Sequence, residues 1–414
     1  MSLTSIPADL QSLLCAGGLR PLRLAGRSLL PIVQGGMGVG VSAHRLAGSV
    51  AALGGVGTIS SVDLRRHHPD LMARTRDLDM ADTPRAKRLI DSANRDALRR
   101  EIERARALAQ GCGLLAVNVM RAVSEYAASV TAALQAGIDM VVVGAGLPLD
   151  LPDLARDHPR ALLVPILSDA RGVQLVVKKW ERKQRLPDAI VIEHPRLAGG
   201  HLGAAKVADL NHPRFEFELV LPAVHSFLRS AGIEREIPII TAGGIRSFED
   251  IRHMQSLGAA AAQLGTAFAV TEECDADAGF KQVLATAKDD DLVEFTSVAG
   301  LPARAVGTPW LCKYLKALPR LQAATQVKQR CTKAFDCLAQ CGLRDGLAGW
   351  GQFCIDHQLA AALRGETGKG LFFRGVGALP FGEQIRPVRE LIERLLAPVP
   401  GATQRAANAM PASA

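Results

Sequence analysis

Aromatic residues and long apolar runs are both scarce in this chain of 414 residues. Only 4% of the residues are aromatic, and the net charge of +8 is spread along the chain. Nucleic-acid-binding surfaces concentrate positive charge and usually carry aromatic side chains, so we expect no nucleic-acid partner. The longest stretch without a charged residue, 254–271, contains Gln, Ser and Gly, which predicts a buried strand with turns. We therefore expect no membrane partner.

Other absences narrow the class of protein further. The glycines show no fixed period and only eight residues are Cys, which excludes a collagen-like chain and a disulfide scaffold. Residues 1–19 lack a basic segment and contain Asp9, unlike a secretory signal. We therefore expect a cytoplasmic protein whose cysteines are thiols, metal ligands or cluster ligands. With 48% hydrophobic residues, a chain of this length can bury a large core.

Short apolar runs alternate with amphipathic stretches along the first 270 residues. The eight runs are 31–36, 56–61, 114–120, 140–144, 162–168, 189–193, 238–243 and 260–267. They are apolar throughout, as strands buried on both faces must be. Eight strand–helix units predict an α/β fold of the (β/α)8 TIM-barrel type. Periodicity alone leaves a doubly wound open sheet as the alternative.

The spacing of the runs also predicts a domain organisation. About fifty residues separate the second and third runs, and a long polar helix at 83–110 occupies much of this segment. We interpret residues 62–112 as a helical insertion in a barrel of residues 1–270. Residues 271–398 predict a mostly helical C-terminal extension, and the Ala- and Pro-rich tail 399–414 is predicted to be disordered.

Glycines mark the ends of three predicted strands. The first run leads into Gln34–Gly38, the seventh ends in Thr241–Ile245, and the eighth contains Gln263–Thr266. Gly-rich turns after strands seven and eight are the usual phosphate site of a TIM barrel, where backbone N–H groups and a helix N-terminus, here near Ser247, meet the anion. Glycines after strand one let the backbone approach a flat ligand.

A Gly-Gly-His-x-Gly turn, residues 199–203, follows the sixth predicted strand. A histidine in such a turn, at the functional end of a barrel strand, favours catalysis or ligand contact over a place in the core. His201 is therefore the candidate catalytic residue.

These segments together resemble the nitronate monooxygenase family, formerly called 2-nitropropane dioxygenases. That family consists of FMN-dependent TIM barrels and also includes flavin-dependent enoyl-acyl-carrier-protein reductases. The resemblance covers roughly residues 28–272. The segments that carry it are Pro31–Gly38, Val117–Val119, Gly144–Pro148, Ala198–Gly203, Thr241–Ile245 and Gln263–Thr266.

The resemblance implies a set of FMN contacts. Gly36 and Met37 would line the flavin ring, Asn118 and Ser168 would bond its polar edges, Gly200 would lie beside it, and Gly243, Gly244, Gly265 and Thr266 would hold the phosphate. His201 would be the base near the flavin, since a neutral imidazole can take an acidic Cα proton from a nitroalkane. With a nitronate, which needs no deprotonation, His201 would instead bind the anion.

The chain departs from the family pattern in three places. The loop Glu193–Leu197 lacks the usual Gly- and acid-containing stretch, and the segment after strand two is unusually polar. An expected flavin-contacting Ala-Gly-Gln segment is missing, and Arg374–Gly377 lies at a comparable point. The resemblance therefore leaves the substrate open.

Four of the eight cysteines, Cys331, Cys337, Cys341 and Cys354, fall within 24 residues. The spacing lacks the paired CxxC knuckles of a zinc ribbon. It loosely resembles the cluster ligands of glutamate synthase and dienoyl-CoA reductases, and four thiolates suit a 4Fe–4S cluster. A predicted helical hairpin, 322–338 and 347–363, would bring the thiols together. Structural cysteines on helices, or a zinc site, are the alternatives.

Three functions stay open on this basis, all with a small-molecule ligand. The first is FMN-dependent oxidation of a nitronate or nitroalkane with oxygen. The second is a flavin reductase of an enoyl or quinone substrate, driven by NAD(P)H or ferredoxin, for which an iron–sulfur cluster would be useful. The third, a non-catalytic flavin- or phosphate-binding protein, is disfavoured by His201. The sequence leaves the electron donor and the formation of a homodimer undecided.

Overall fold

The computed structural model describes residues 3–4, 6–78, 82–233, 237–328, 330–331 and 333–398. The predicted disordered tail, 399–414, lies outside the described residues. None of the helices in the described ranges combines the length and the apolar character that crossing a membrane requires.

Fourteen strands form three sheets within the described residues. In chain order they are β1 (Leu3–Thr4), β2 (Leu22–Leu24), β3 (Arg27–Leu29), β4 (Ile32–Gln34), β5 (Val56–Ser60), β6 (Leu114–Met120), β7 (Met140–Gly144), β8 (Leu162–Leu167), β9 (Ile190–Glu193), β10 (Gly200–His201), β11 (Ile239–Ala242), β12 (Ala261–Leu264), β13 (Leu292–Thr296) and β14 (Pro302–Val306).

Fifteen α-helices surround these strands in the described part of the chain. They are α1 (Ala8–Ala16), α2 (His44–Ala52), α3 (Pro69–Arg74), α4 (Thr83–Ala109), α5 (Tyr126–Gln135), α6 (Leu151–Leu154), α7 (Ala170–Glu181), α8 (Phe217–Ser230), α9 (Phe248–Ser256), α10 (Thr266–Ala269), α11 (Ala278–Thr286), α12 (Pro309–Ala323), α13 (Gly342–Asp345), α14 (Ile355–Leu363) and α15 (Val388–Leu396).

Eight parallel strands close into a barrel in the order β4, β5, β6, β7, β8, β9, β11 and β12. Each of them falls on one of the eight predicted apolar runs, so the predicted TIM barrel is confirmed. Alternate side chains such as Val33, Val142 and Val191 fill the barrel interior. Leu22 and Leu29, from the β2–β3 hairpin, belong to the same cluster and plug one end of the barrel.

The long polar helix α4 is a barrel helix, so the predicted insertion 62–112 contains both inserted residues and a helix of the outer ring. It packs between α2 and α5 and so fills the second position of the outer ring. Its buried face is built mainly from small residues, including Ala93, Ala97 and Ala105. Such a face packs closely with few large apolar side chains, here Ile90, Leu98 and Ile102, which is why the sequence pattern suggested a surface helix. Only the segment between β5 and α4, which contains α3, is inserted relative to a regular strand–helix unit.

The last helix, α15, also returns to the barrel. It packs against α1, α2 and α9 and buries Leu391, Ile392 and Leu395 in the main core. It therefore takes the eighth position of the outer ring. Residues 271–387 form an excursion between strand eight and helix eight, so the predicted boundary at residue 270 separates the barrel from its own last helix.

The excursion is less helical than expected. Its strands β13 and β14 form an antiparallel hairpin, and β14 pairs with β10, which carries the predicted catalytic residue. In that pairing Ala303 lies opposite His201. Phe295, Leu311 and Phe353 give the excursion a hydrophobic cluster of its own. The excursion thus packs onto the C-terminal ends of the barrel strands.

Candidate active site

A cavity of about 290 Å³ lies between the C-terminal ends of the barrel strands and the excursion. Nine of the ten residues predicted to contact FMN or substrate line it, namely Gly36, Met37, Asn118, Gly200, His201, Gly243, Gly244, Gly265 and Thr266. Residues far apart in sequence therefore converge as the barrel predicts.

Ser168 is the one residue of that set that does not line the cavity. It follows β8, and its hydroxyl occupies the space that a side chain at Gly203 would need. Ser168 therefore packs against the turn that follows His201. The prediction that it contacts a ligand directly is not supported by this geometry.

The glycines at the strand ends differ in their backbone conformation and in the space beside them. Gly243 and Gly244 have φ angles of +98° and +75°, in the left-handed region that glycine tolerates best. A Cβ on Gly244 would also stand 2.8 Å from the Leu197 side chain. By contrast, a Cβ on Gly265 would meet only the Met37 sulfur, at 3.8 Å. The surface at Gly265 is thus open to a ligand.

The predicted role of the helix N-terminus near Ser247 needs correction. Helix α9 is capped by its own residues, because Asp250 accepts hydrogen bonds from the N–H groups of Arg246 and Ser247, at 2.9 and 3.0 Å. The Asp250 carboxylate therefore already occupies the place of an anion. Positive charge at this end of the cavity comes instead from the Arg246 side chain, which lines it.

The segment Arg374–Gly377 closes the same end of the cavity. The Gly375 N–H donates to the Thr266 hydroxyl at 3.0 Å, and Arg246 donates to the Val376 carbonyl at 3.3 Å. Gly375, Val376 and Gly377 all line the cavity. This segment therefore lies beside the cavity, where the family resemblance implied the missing Ala-Gly-Gln segment.

Asn118 provides a test of whether the site suits FMN. Its Nδ2 donates to the Gly36 carbonyl at 3.4 Å, but its buried Oδ1 has no hydrogen-bond partner within the described chain. An unpaired buried acceptor is costly unless a ligand donor reaches it. Together with the glycines at the strand ends and the positive charge of Arg246, it suits a flat ligand that carries an N–H group and a phosphate.

His201 is held by residues of the excursion. Its Nε2 lies 3.0 Å from the hydroxyl of Ser297, which is fully buried. The edge of the Phe373 ring packs against the imidazole with 5.4 Å between ring centroids. Burial lowers the pKa of His201 to about 4. The imidazole is therefore neutral at pH 7.

Arg304 fixes the turn that carries His201. Its buried guanidinium donates to the Ala198 carbonyl and pairs with Glu294. Arg304 also lies opposite Gly200 in the β10–β14 ladder. Its side chain and its backbone therefore both hold the turn that carries His201. The excursion thus sets the position of His201 within the cavity.

Three residues of the site were not singled out in the sequence. Glu193 ends β9 and lines the cavity, and burial raises its pKa to about 7. Its position at a barrel strand end was a usable signal. Arg246 follows the recognised Gly-Gly turn directly. Ser297 had no local signal, because it reaches His201 only through the β10–β14 pairing.

The wall contributed by the excursion is mainly apolar. Leu338, Ile355 and Leu359 line it, facing Met120 and Val123 from the barrel side. Val123 and Leu338 form an isolated antiparallel bridge, which ties this wall to the loop after β6. Such a wall suits an apolar substrate chain and keeps water out of the cavity.

The cysteine group does not form the predicted helical hairpin. Helix α12 ends at Ala323, so Cys331 and Cys337 lie in a loop, while Cys341 and Cys354 directly precede α13 and α14. The described residues around Cys331, namely Arg330 and Lys333, are not helical. The predicted helix 322–338 is wrong because α12 ends at Ala323. The next helix, α13, begins only at Gly342 and is four residues long.

The four cysteines also do not form a metal site. In the described ranges no three His, Cys, Asp or Glu side chains come together in an arrangement that could hold a metal ion. Burial raises the pKa of the Cys337 thiol well above its ordinary value, and the neighbouring Asp356, Cys354, Cys331 and Cys341 raise it further. Cys331, Cys337, Cys341 and Cys354 are free thiols in this structure. In the described ranges this arrangement therefore gives no support to the predicted 4Fe–4S cluster.

Comparisons with known proteins agree with the fold and with the family resemblance of the sequence. A profile of the nitronate monooxygenase family matches residues 26–398. A probable nitronate monooxygenase of Staphylococcus saprophyticus is 29% identical over 125 residues, which make up 30% of this chain and 33% of that protein. The chain thus matches about a third of the length of this relative.

Solved structures share the fold over almost the whole chain. FabK from Thermotoga maritima has a TM-score of 0.63 and 19% identity, covering 98% of this chain and 100% of that chain. A nitroalkane oxidase from Streptomyces ansochromogenes has a TM-score of 0.60 and 20% identity, covering 95% and 100%. The family profile spans both the barrel and the excursion. The chain belongs to the nitronate monooxygenase family.

Proposed function

We propose that this protein is an FMN-dependent nitronate monooxygenase that oxidises alkyl nitronates with molecular oxygen. The observation that carries the proposal is a neutral His201 in a cavity with the open surface of Gly265 on one side and an apolar wall on the other. A nitronate has the matching form, with a charged oxygen pair at one end and an alkyl chain at the other.

The FMN would be held by residues already described. Gly243, Gly244, Gly265, Thr266 and Arg246 would surround its phosphate, and Asn118 and Gly36 would meet its ring system. When bound, the flavin supplies the electron transfer that couples the oxidation of the substrate to oxygen.

The residues of this chain prepare the substrate for that chemistry. His201 stays uncharged down to a pH of about 4, so it offers a hydrogen bond without a competing counter-ion. The apolar wall at Leu338 and Ile355 excludes water and so strengthens that hydrogen bond. Neither the hydrogen bond from His201 nor the exclusion of water requires a metal ligand from the cysteine group.

Oxygen uptake with preformed propyl nitronate tests the proposal. Purified protein should release FMN on heating and consume oxygen only when the nitronate is present. His201→Ala should retain FMN but lower kcat/KM for the nitronate about 10- to 100-fold, the usual effect of losing a hydrogen bond to a charged group.

Two outcomes would contradict the proposal. Anaerobic oxidation of NADPH coupled to reduction of an enoyl or quinone substrate, without nitronate-dependent oxygen uptake, would favour the flavin reductase. Tight binding of FMN with no turnover of either kind would favour the non-catalytic binding protein.

A further inference from the structure

We propose that Ser297 is a positioning residue that holds His201 as its Nδ1–H tautomer, so that the ring presents a hydrogen-bond donor to an anionic substrate. The inference rests on the proposed function for the identity of the anion, a nitronate. It concerns a residue of the excursion that lies about one hundred positions after the histidine it acts on.

The hydroxyl of Ser297 has two neighbours in the described chain. Its oxygen accepts a hydrogen bond from the Ala299 N–H at 3.2 Å, and it lies 3.0 Å from His201 Nε2. Since Ser297 is fully buried, water does not reach this hydroxyl. The Ser297 proton therefore has one acceptor within reach, which is Nε2.

The tautomer of His201 follows from that assignment. In a neutral imidazole one nitrogen donates and the other accepts. If the Ser297 hydroxyl donates to Nε2, Nε2 is the acceptor and Nδ1 carries the proton. The opposite arrangement would leave the buried hydroxyl proton of Ser297 without an acceptor, at a cost of about 1–3 kcal/mol.

The surroundings fix the ring as well as its proton. Ser297 is held in the β13–β14 turn, where its N–H donates to the Leu301 carbonyl at 2.9 Å and its carbonyl accepts from Gly351 at 3.1 Å. The Phe373 ring packs against the imidazole. Among the described residues Nδ1 has no hydrogen-bond partner, so it is the ring atom left for a ligand.

This tautomer separates two roles for His201. A donating Nδ1–H stabilises a negatively charged oxygen, whereas removal of a Cα proton needs an unprotonated nitrogen that faces the substrate. The low pKa of the buried ring supports the same distinction, because a weakly basic imidazole is a poor proton acceptor. Ser297 thus directs the site towards the nitronate and away from the neutral nitroalkane.

The direct test is the tautomer of His201 in protein labelled with ¹⁵N-histidine. Long-range ¹⁵N–¹H correlation spectra distinguish Nδ1–H from Nε2–H, and the His201→Gln variant identifies the signal. We expect Nδ1–H in the wild type and a loss of that preference in Ser297→Ala. Ser256→Ala, which removes an exposed hydroxyl bonded to a backbone carbonyl, is the control and should leave the His201 signal unchanged.

Kinetics provide the second measurement. Ser297→Ala should lower kcat/KM for propyl nitronate about 10-fold while the ratio of nitroalkane to nitronate turnover rises, and Ser297→Thr, which keeps the hydroxyl, should restore the tautomer. A wild-type His201 that carries its proton on Nε2 would overturn the inference. A wild type with the Nδ1–H tautomer but no nitronate turnover would instead refute the proposed function.

Discussion

At the scale of single residues, Gly244 shows how tightly a turn that lines the cavity packs against a neighbouring side chain, that of Leu197. Gly244→Ala should weaken FMN binding at least about 10-fold, because the added Cβ meets Leu197 at 2.8 Å and the φ of +75° strains any other residue. The dissociation constant of FMN, measured by quenching of its fluorescence, checks this.

Gly137 provides the matched control for that substitution. Its φ is +74°, but a Cβ there meets no atom within 4 Å, and it lies outside the cavity wall. Gly137→Ala should therefore carry the same backbone strain, about 1 kcal/mol, and leave FMN affinity unchanged. Equal losses of affinity in both variants would show that the backbone strain alone is responsible.

The partly buried imidazole of His201 should also make the stability of the fold depend on pH. The pKa of His201 is lowered to about 4, whereas the unfolded chain takes up the proton near pH 6.5. The unfolded state thus binds more protons between these values, and the folded state loses stability as the pH falls from about 6.5 to about 4.

Denaturant titration of the wild type and His201→Gln measures this effect. The wild type should lose up to about 3 kcal/mol more unfolding free energy than the variant across that pH range. Above pH 7 the difference between the two proteins should be constant. Parallel curves down to pH 4 would mean that His201 titrates normally.

Single residues also show what the sequence could predict of the site. The glycines at the strand ends and His201 were found because parallel strands bring their ends to one edge of a barrel. The roles of Ser297 and of the contact between Ser168 and Gly203 could not be predicted, since they depend on how a distant hairpin and a turn pack.

At the scale of elements, the α2–α4 interface tests the assignment of α4 to the outer ring. Gly48 of α2 faces α4, and a Cβ there would stand 2.7 Å from the Cβ of Leu108. Gly48→Ala should therefore lower the free energy of unfolding by about 1–3 kcal/mol, the usual cost of overpacking.

Gly349→Ala is the control, because a Cβ at Gly349 meets no atom within 4 Å. It should change the free energy of unfolding by less than about 0.5 kcal/mol. If Gly48→Ala were equally neutral, the two helices would not pack as closely as the structure shows. Urea denaturation followed by circular dichroism compares both variants.

The sequence pattern predicted some strands and helices better than others. The eight barrel strands were found because strands buried on both faces are apolar without interruption. The helical hairpin predicted for the cysteine region is wrong because short helices such as α13 and α14 are defined by their tertiary contacts and lack a long periodic pattern. The hairpin β13–β14 was missed for a similar reason, since β13 is only partly buried.

At the scale of the whole molecule, the chain should contain flavin without stoichiometric iron. In the described ranges the cysteine side chains do not form a metal-binding group, and Cys337 is a partly buried free thiol. Anaerobically purified protein should show the absorbance of FMN alone, and iron and acid-labile sulfide should be far below one per chain. About four irons per chain would show that the region of Cys331–Cys354 rearranges around a cluster, and would revive the reductase interpretation.

The excursion between strand eight and helix eight has a consequence for the order in which the protein is made. His201 leaves the ribosome about one hundred residues before Ala303, its partner on β14, and well before α15 completes the outer ring. The nascent chain therefore carries its reactive histidine through about one hundred further residues of synthesis before Ser297 and Ala303, which orient it, are made. Substrate recognition becomes complete only when almost the entire polypeptide is available to fold.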